Sequence, residues 1–186
     1  MGKDGSQKGA SEHSGFWIMI FTGALTVITG LQWWAFMQSE SAFVSVDSVK
    51  FTRPLVVGLN PLPIQFNLRN SGKNTAIIDE LSVAISHELK PKPDYFKAKR
   101  RAYPPIVAGA SPKIIEGFET GWGEETNGAV LSGQMPLYFY GVVKYKDKFS
   151  FGFKSTTGFC FVYRPNNGLG EPSFDTCIQS AYTYTN

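Results

Sequence analysis

Two cysteines, two histidines and one run of cations interleaved with aromatic rings are the residues with which this 186-residue chain could do chemistry. In an oxidising compartment Cys160 and Cys177 would close a loop of about 18 residues, worth about 3 kcal/mol in the chain-entropy model. In a reducing compartment they would stay two free thiols, one of them inside a strand. The segment between them contains RPNNGLGEPSFDT, rich in turn formers, and would gain from a tie. The histidines, His13 and His87, lie far apart and no Cys-x-x-Cys occurs, so no metal-ligand spacing is present. A Ser-His-Asp site would have to use His87, which sits close to Glu88 and Lys90 and reads as a solvated loop histidine. NGLG lacks the third glycine and the strand-to-helix setting of a nucleotide loop. With no acid–base or nucleophile cluster, the expectation is a non-enzyme without cofactor or metal.

The cationic run is ELKPKPDYFKAKRRAYPP, residues 88–105, in which Lys90, Lys92, Lys97, Lys99, Arg100 and Arg101 lie beside Tyr95, Phe96 and Tyr103. Three readings stay open. It is a long solvated loop stiffened by prolines, neutralised by the nearby acidic EGFETGWGEET (116–126). Or it is a partner surface, with Lys97, Lys99, Arg100 and Arg101 as cations and Phe118 and Trp122 as contact anchors if exposed. Or it binds single-stranded nucleic acid or anionic lipid. The net charge of +3 is too small to argue for nucleic acid by itself.

These residues must be positioned by something, and the first element is unambiguous in pattern. FWIMIFTGALTVITGLQWWAFM, residues 16–37, carries no charge. As a helix it is about 33 Å long, enough to cross a ~30 Å hydrocarbon core. Trp17 near one end and Trp33 and Trp34 near the other suit the two interfaces. The competing reading is a cleaved signal peptide. Against it, the apolar stretch exceeds the usual length of such a region and the leader carries no net positive charge. Lys3 and Lys8 precede the helix, and only Lys50 lies within fifteen residues after it, which favours a cytoplasmic N-terminus. Thr22, Gly23, Thr26, Thr29 and Gly30 gather on one side of the helix. Small and hydroxylated residues let helices approach closely in lipid, so this side is the expected packing face for another membrane protein or a second copy.

Beyond a polar hinge at 38–41, residues 42–186 read as many short strands. AFVSVDSVKF (42–51) alternates, then slips phase at Val49 and Phe51, as a bulge or a pair of short strands would cause. PIQFNLRNSGKNTAIIDELSVAI (63–85) reads as a hairpin, with Asn70-Ser71-Gly72-Lys73 as the tight turn. LYFYGVVKY (137–145) and FSFGF (149–153) flank Lys146-Asp147-Lys148 as a second hairpin, and GFCFVY (158–163) is a further strand. Seven or so strands over this length predict an all-β domain, an immunoglobulin-like antiparallel β-sandwich preceded by one transmembrane helix.

The Asn70-x-Gly72 hairpin, the Tyr140-Gly141…Tyr145-x-Asp147 strand, Phe159-Cys160-Phe161 and the late Cys177 together resemble a group of uncharacterised bacterial single-pass membrane proteins. In those, a short tail and one helix precede an immunoglobulin-like ectodomain. The resemblance covers most of the chain and implies no activity. It leads to the expectation of an inner-membrane protein with a periplasmic domain that acts through contacts, as an accessory or stabilising subunit of an envelope complex. The alternative is a tethered periplasmic ligand-binding or sensory module.

Overall fold

The computed structural model describes residues 8–56, 58–93, 95, 99–101, 103–148, 154–165 and 172–185, with the side chains of 8–14, 38 and 99–101 left aside. It divides into two compact units, Met1–Glu40 and Ser41–Asn186.

The first unit is helix α1, Lys8–Ser39. It runs past both ends of the uncharged stretch and takes in the start of the expected hinge. Gly15–Met37 is its apolar span, 23 residues with an 18-residue window of mean hydropathy 1.5 that is wholly unburied; residues 15–36 are all exposed. A core helix of a water-soluble domain would bury one face. This helix therefore either spans a membrane or serves as a signal sequence.

The second unit is mostly β and holds nine strands among the described residues. They are β1 (Val44–Phe51), β2 (Leu62–Asn70), β3 (Ile77–Ser86), β4 (Lys99–Arg101), β5 (Lys113–Phe118), β6 (Tyr138–Lys146), β7 (Ser155–Arg164), β8 (Ser173–Thr176) and β9 (Tyr184–Thr185). A short helix, α2 (Glu124–Leu131), separates β5 from β6. All pairings are antiparallel. One sheet has the order β1-β2-β5; the other has the order β4-β3-β6-β7-β8, with β9 also on β7.

The inner faces of the two sheets contribute to one cluster. Ile64, Phe66 and Leu68 of β2 meet Leu81 and Val83 of β3, Phe139 and Val143 of β6 and Phe159 of β7. Apolar residues at every second position put a whole strand face against the other layer. The phase slip in β1 is a bulge. Its register on β2 shifts between Asp47 and Lys50, and Ser48 has φ 53°. One extra residue resets the alternation, so that Val46 before the bulge and Val49 and Phe51 after it all pack on the same core.

Three expectations are corrected. First, residues 63–85 are not a hairpin: β2 pairs with β1 and β5, whereas β3 pairs with β4 and β6. The NSGK segment is a corner that carries the chain from one sheet to the other. The reason is Asn70, which is fully buried. Its Nδ2 donates to the carbonyls of Asn74 (2.7 Å) and Ile106 (2.9 Å), and its Oδ1 accepts from the amides of Gly72 (3.1 Å) and Phe43 (3.3 Å). An amide side chain with every capacity used is a pin between layers. Gly72 completes the corner because a Cβ there would collide with the backbone of Ser41, Ala42 and Phe43.

Second, the strand paired with β6 is β7, in register from Tyr138↔Val162 to Tyr145↔Ser155, so GFCFVY is the partner that FSFGF was expected to be. Residues 149–153 lie outside the described residues. Third, residues 88–105 are not one unbroken loop, since β4 falls within them; the neighbouring acidic run takes in the end of β5 and the start of α2. The short β4 escapes sequence patterning because its three residues are all cationic.

Candidate functional site

The residues singled out by type end up in very different places. Cys160 on β7 and Cys177, just past β8, form a disulfide with Cα atoms 5.3 Å apart. The Cys177 amide also donates to the Cys160 carbonyl at 3.0 Å. The bridge lies on the outer face of the larger sheet. There Tyr140 and Tyr182 stack edge to face at 5.2 Å and Ala84 completes a small second core. Tyr182 donates its hydroxyl to the Lys90 carbonyl at 3.0 Å, tying the start of the cationic run to this patch. Tyr95 joins the same rings, and burial pushes its hydroxyl well above the ordinary tyrosine range.

In α1 the hydroxyls of Thr22, Thr26 and Thr29 donate to the carbonyls of Ile18, Thr22 and Leu25, four residues back. Their protons are therefore spent inside the helix, which is what makes a hydroxyl tolerable in lipid. A Cβ at Gly23 or Gly30 would meet nothing within 4 Å.

Of the candidate partner surface, Lys97 lies outside the described residues. Lys99, Arg100 and Arg101 form β4, the outermost strand of the larger sheet. A cationic edge resists pairing with another strand, so the run has a structural reason to be basic. Phe118 is not an exposed anchor: it is 5% exposed, with its ring 5.9 Å from Phe139 in the core. Trp122 is half-buried and meets His87 edge to face at 5.2 Å. Glu116, in the acidic run, is buried and accepts from the Tyr103 hydroxyl at 2.7 Å. Glu124 and Glu125 open α2, where carboxylates complement the helix dipole. No cluster of three metal-ligating side chains occurs among the described residues.

What sequence reading did not single out is β1 itself. It is the outer strand of the smaller sheet and packs beside β7 and β8 of the larger one. This leaves a seam between two sheet edges, and the bulge at Ser48 divides it into two grooves. One, of about 530 Å³, has aromatic walls from Phe51, Tyr163 and Phe174, whose rings stand 5.1–5.5 Å apart, and carries Lys50 and Arg53. Burial raises the Tyr163 hydroxyl. The other, of about 500 Å³, runs between Ser45–Ser48 and the β9 residues Tyr184 and Thr185, over a floor that includes Thr157, Phe159 and Phe161. Gly158 lets the C-terminal segment come this close, since a Cβ there would strike the Tyr184 ring at 2.5 Å and the Tyr182 carbonyl at 2.8 Å. The phase slip of residues 42–51 was the one trace of this seam in the sequence.

Fold and geometry thus define a class: a mostly β domain of two antiparallel sheets, closed by one disulfide and preceded by an apolar helix of membrane-spanning length. Comparison with family models, with curated proteins and with solved structures gives no match to the chain.

Proposed function

We propose that this chain is a single-pass membrane protein whose domain has an immunoglobulin-like sandwich form and acts through contacts rather than catalysis. It serves as an accessory or stabilising subunit of a bacterial envelope complex. Its N-terminus is cytoplasmic and its domain periplasmic. The observation that carries this reading is the helix: an uncharged span whose residues 15–36 are all exposed needs either lipid or a partner. The Cys160–Cys177 bridge supports an oxidising compartment, in line with the lysines ahead of the helix. In the bilayer, the small-residue side with Gly23 and Gly30 admits a second helix. Outside it, the β1 seam is the contact surface.

A tethered ligand-binding module is the second reading, supported by the two grooves of about 500 Å³ each. Purification of the full chain in mild detergent distinguishes the two. Stoichiometric co-migration with another membrane protein supports the first. A monomer whose melting rises with small molecules supports the second. Recovery of a water-soluble chain lacking its first forty residues overturns both.

A further inference from the structure

We propose that the groove along β1 receives an extended peptide segment bearing a basic side chain, which adds as a strand to the β1 edge and places its cation at Asp47. The proposal rests on the contact-surface reading above and names the chemistry of the partner.

Three observations converge here. The first is the edge. β1 is eight residues long and, among the described residues, pairs on one side only, with β2. An unpaired edge offers a row of backbone donors and acceptors to another extended chain. It is not protected in the way β4 is. Between Val44 and Asp47 it carries no cation, whereas the opposite edge of the fold is Lys99-Arg100-Arg101.

The second is room. The groove beside that edge holds about 500 Å³ between β1 and β9, enough for a few residues of extended chain. Its floor, with Phe159 and Phe161, offers apolar contact to alternate side chains.

The third is a set of polar atoms that the fold itself leaves unserved. Thr157 is 6% exposed and lines the groove, yet its Oγ1 has no hydrogen-bond partner among the described residues. Asp47 Oδ1 is also buried without a partner among the described residues, and so is the Oδ1 of Asn67, its register partner on β2; alternation puts this pair on the face of the smaller sheet opposite Phe66 and Leu68, along the same β1 edge. Buried polar groups are nearly always satisfied in folded proteins, so orphans on both faces of the β1 edge mark a place where an added strand, whose side chains alternate between those faces, supplies donors. Asp47 is the one charged residue among those that line the groove. A carboxylate on that face fits an ammonium or guanidinium carried by the added strand. The hydroxyl of Thr157 fits a peptide group of the incoming strand.

The test uses the full chain in detergent and a blocked eight-residue peptide of alternating Thr and Val with a central Lys. Companion peptides carry Glu in place of the Lys, or N-methyl groups on alternate amides. Binding is read by fluorescence anisotropy of a labelled peptide. The expected result is saturable binding of the Lys peptide. It weakens at least tenfold with Glu in the centre, with N-methylated amides, and in Asp47→Asn. No saturable binding of the Lys peptide up to millimolar concentration overturns the proposal. So does N-methylation without effect, which would mean side-chain recognition without strand addition. An Asp47→Asn variant that melts lower but binds the peptide unchanged also overturns it, because Asp47 would then serve Asn67 within the fold. The peptide series probes the wild-type chain as well, so the test does not depend on the variant folding. Failure here leaves co-purification through the helix intact, and failure of co-purification leaves peptide binding intact.

Discussion

Phe66 on β2 and Phe139 on β6 stand with ring centroids 5.2 Å apart across the gap between the two sheets, both fully buried. Phe139 also meets Phe118 at 5.9 Å and Phe159 at 5.6 Å, so it is the ring through which four strands share one core. Truncating it removes contacts to both layers at once. Phe139→Ala should cost about 3–5 kcal/mol. In a domain of this size that lowers the melting temperature by about 10 °C or more, read by thermal circular dichroism. Phe139→Leu should recover a large part of the loss.

Asn70 makes a sharper prediction, because its role is geometric rather than volumetric. Asn70→Ala strands the amides of Phe43 and Gly72 and the carbonyl of Asn74, and takes one of two donors from the Ile106 carbonyl, which keeps the Ala76 amide; it should cost about 2–4 kcal/mol. Asn70→Asp keeps the acceptor for Phe43 and Gly72 but sets carboxylate oxygen against the carbonyls of Asn74 and Ile106. It should also destabilise, less so at low pH where the carboxyl is protonated. If residue 70 were only a turn residue, Asp would be nearly neutral. Denaturant unfolding of the two variants separates these cases.

The Cys160–Cys177 bridge ties β7 to the end of β8 and backs the tyrosine patch on the outer sheet face. Cys160→Ser combined with Cys177→Ser should lower stability by about 3 kcal/mol. Hydrogen exchange should show the loss first at β8 and β9. Mass spectrometry of the unreduced chain should show the two cysteine peptides linked.

Stability should fall at both ends of the pH scale. Asp79 accepts from Lys154 at 2.8 Å and lies 3.5 Å from Lys146, and the Lys154 hydrogen bond holds its carboxyl below the ordinary value. Its contribution is present above about pH 4 and is lost as pH falls through the depressed folded value. Lys154 is raised by the same hydrogen bond, so its share is present below its unfolded value and lost as pH rises through the folded one. Tyr95, raised by burial, adds to the alkaline arm, because the unfolded chain ionises from about pH 10 while the folded one resists. Melting measured from pH 2 to 12 should show both slopes. Asp79→Asn should flatten the acid slope while barely moving the melting temperature at neutral pH, since the pair is partly exposed.

Much of this architecture is local, and such features are legible in sequence. The uncharged stretch 16–37 is legible as a helix because a run of that length without a charge, Pro or turn cluster can satisfy its backbone within itself. Alternation in Ile64, Phe66 and Leu68 fixes a one-sided strand. The slip after Asp47 marks a break in alternation, because the side-chain period of a strand is two; that the break is a bulge and not a second strand is decided by the register on β2. The motif residues Gly141, Tyr145 and Asp147 also have plain structural reasons. A Cβ on Gly141 would collide with the Ser82 carbonyl and the Phe159 ring, Tyr145 fills the core, and Asp147 Oδ2 accepts from the Ala42 amide at 2.6 Å.

Pairing was not legible, because it is decided by residues far apart in the chain. By sequence alone Asn70-Ser71-Gly72 is a hairpin turn; the carbonyl of Ile106, thirty-six positions on, makes it a corner between sheets. By sequence alone Phe118 is either an exposed anchor or a ring tucked into the sandwich end; Phe139 beside it decides for burial. The seam at β1 exists only because the edges of two sheets fold next to each other. Periodicity and charge, which depend on neighbours in sequence, determined the elements; which edges meet, and which polar atoms are left unserved between them, is a property of contacts that only the folded chain makes.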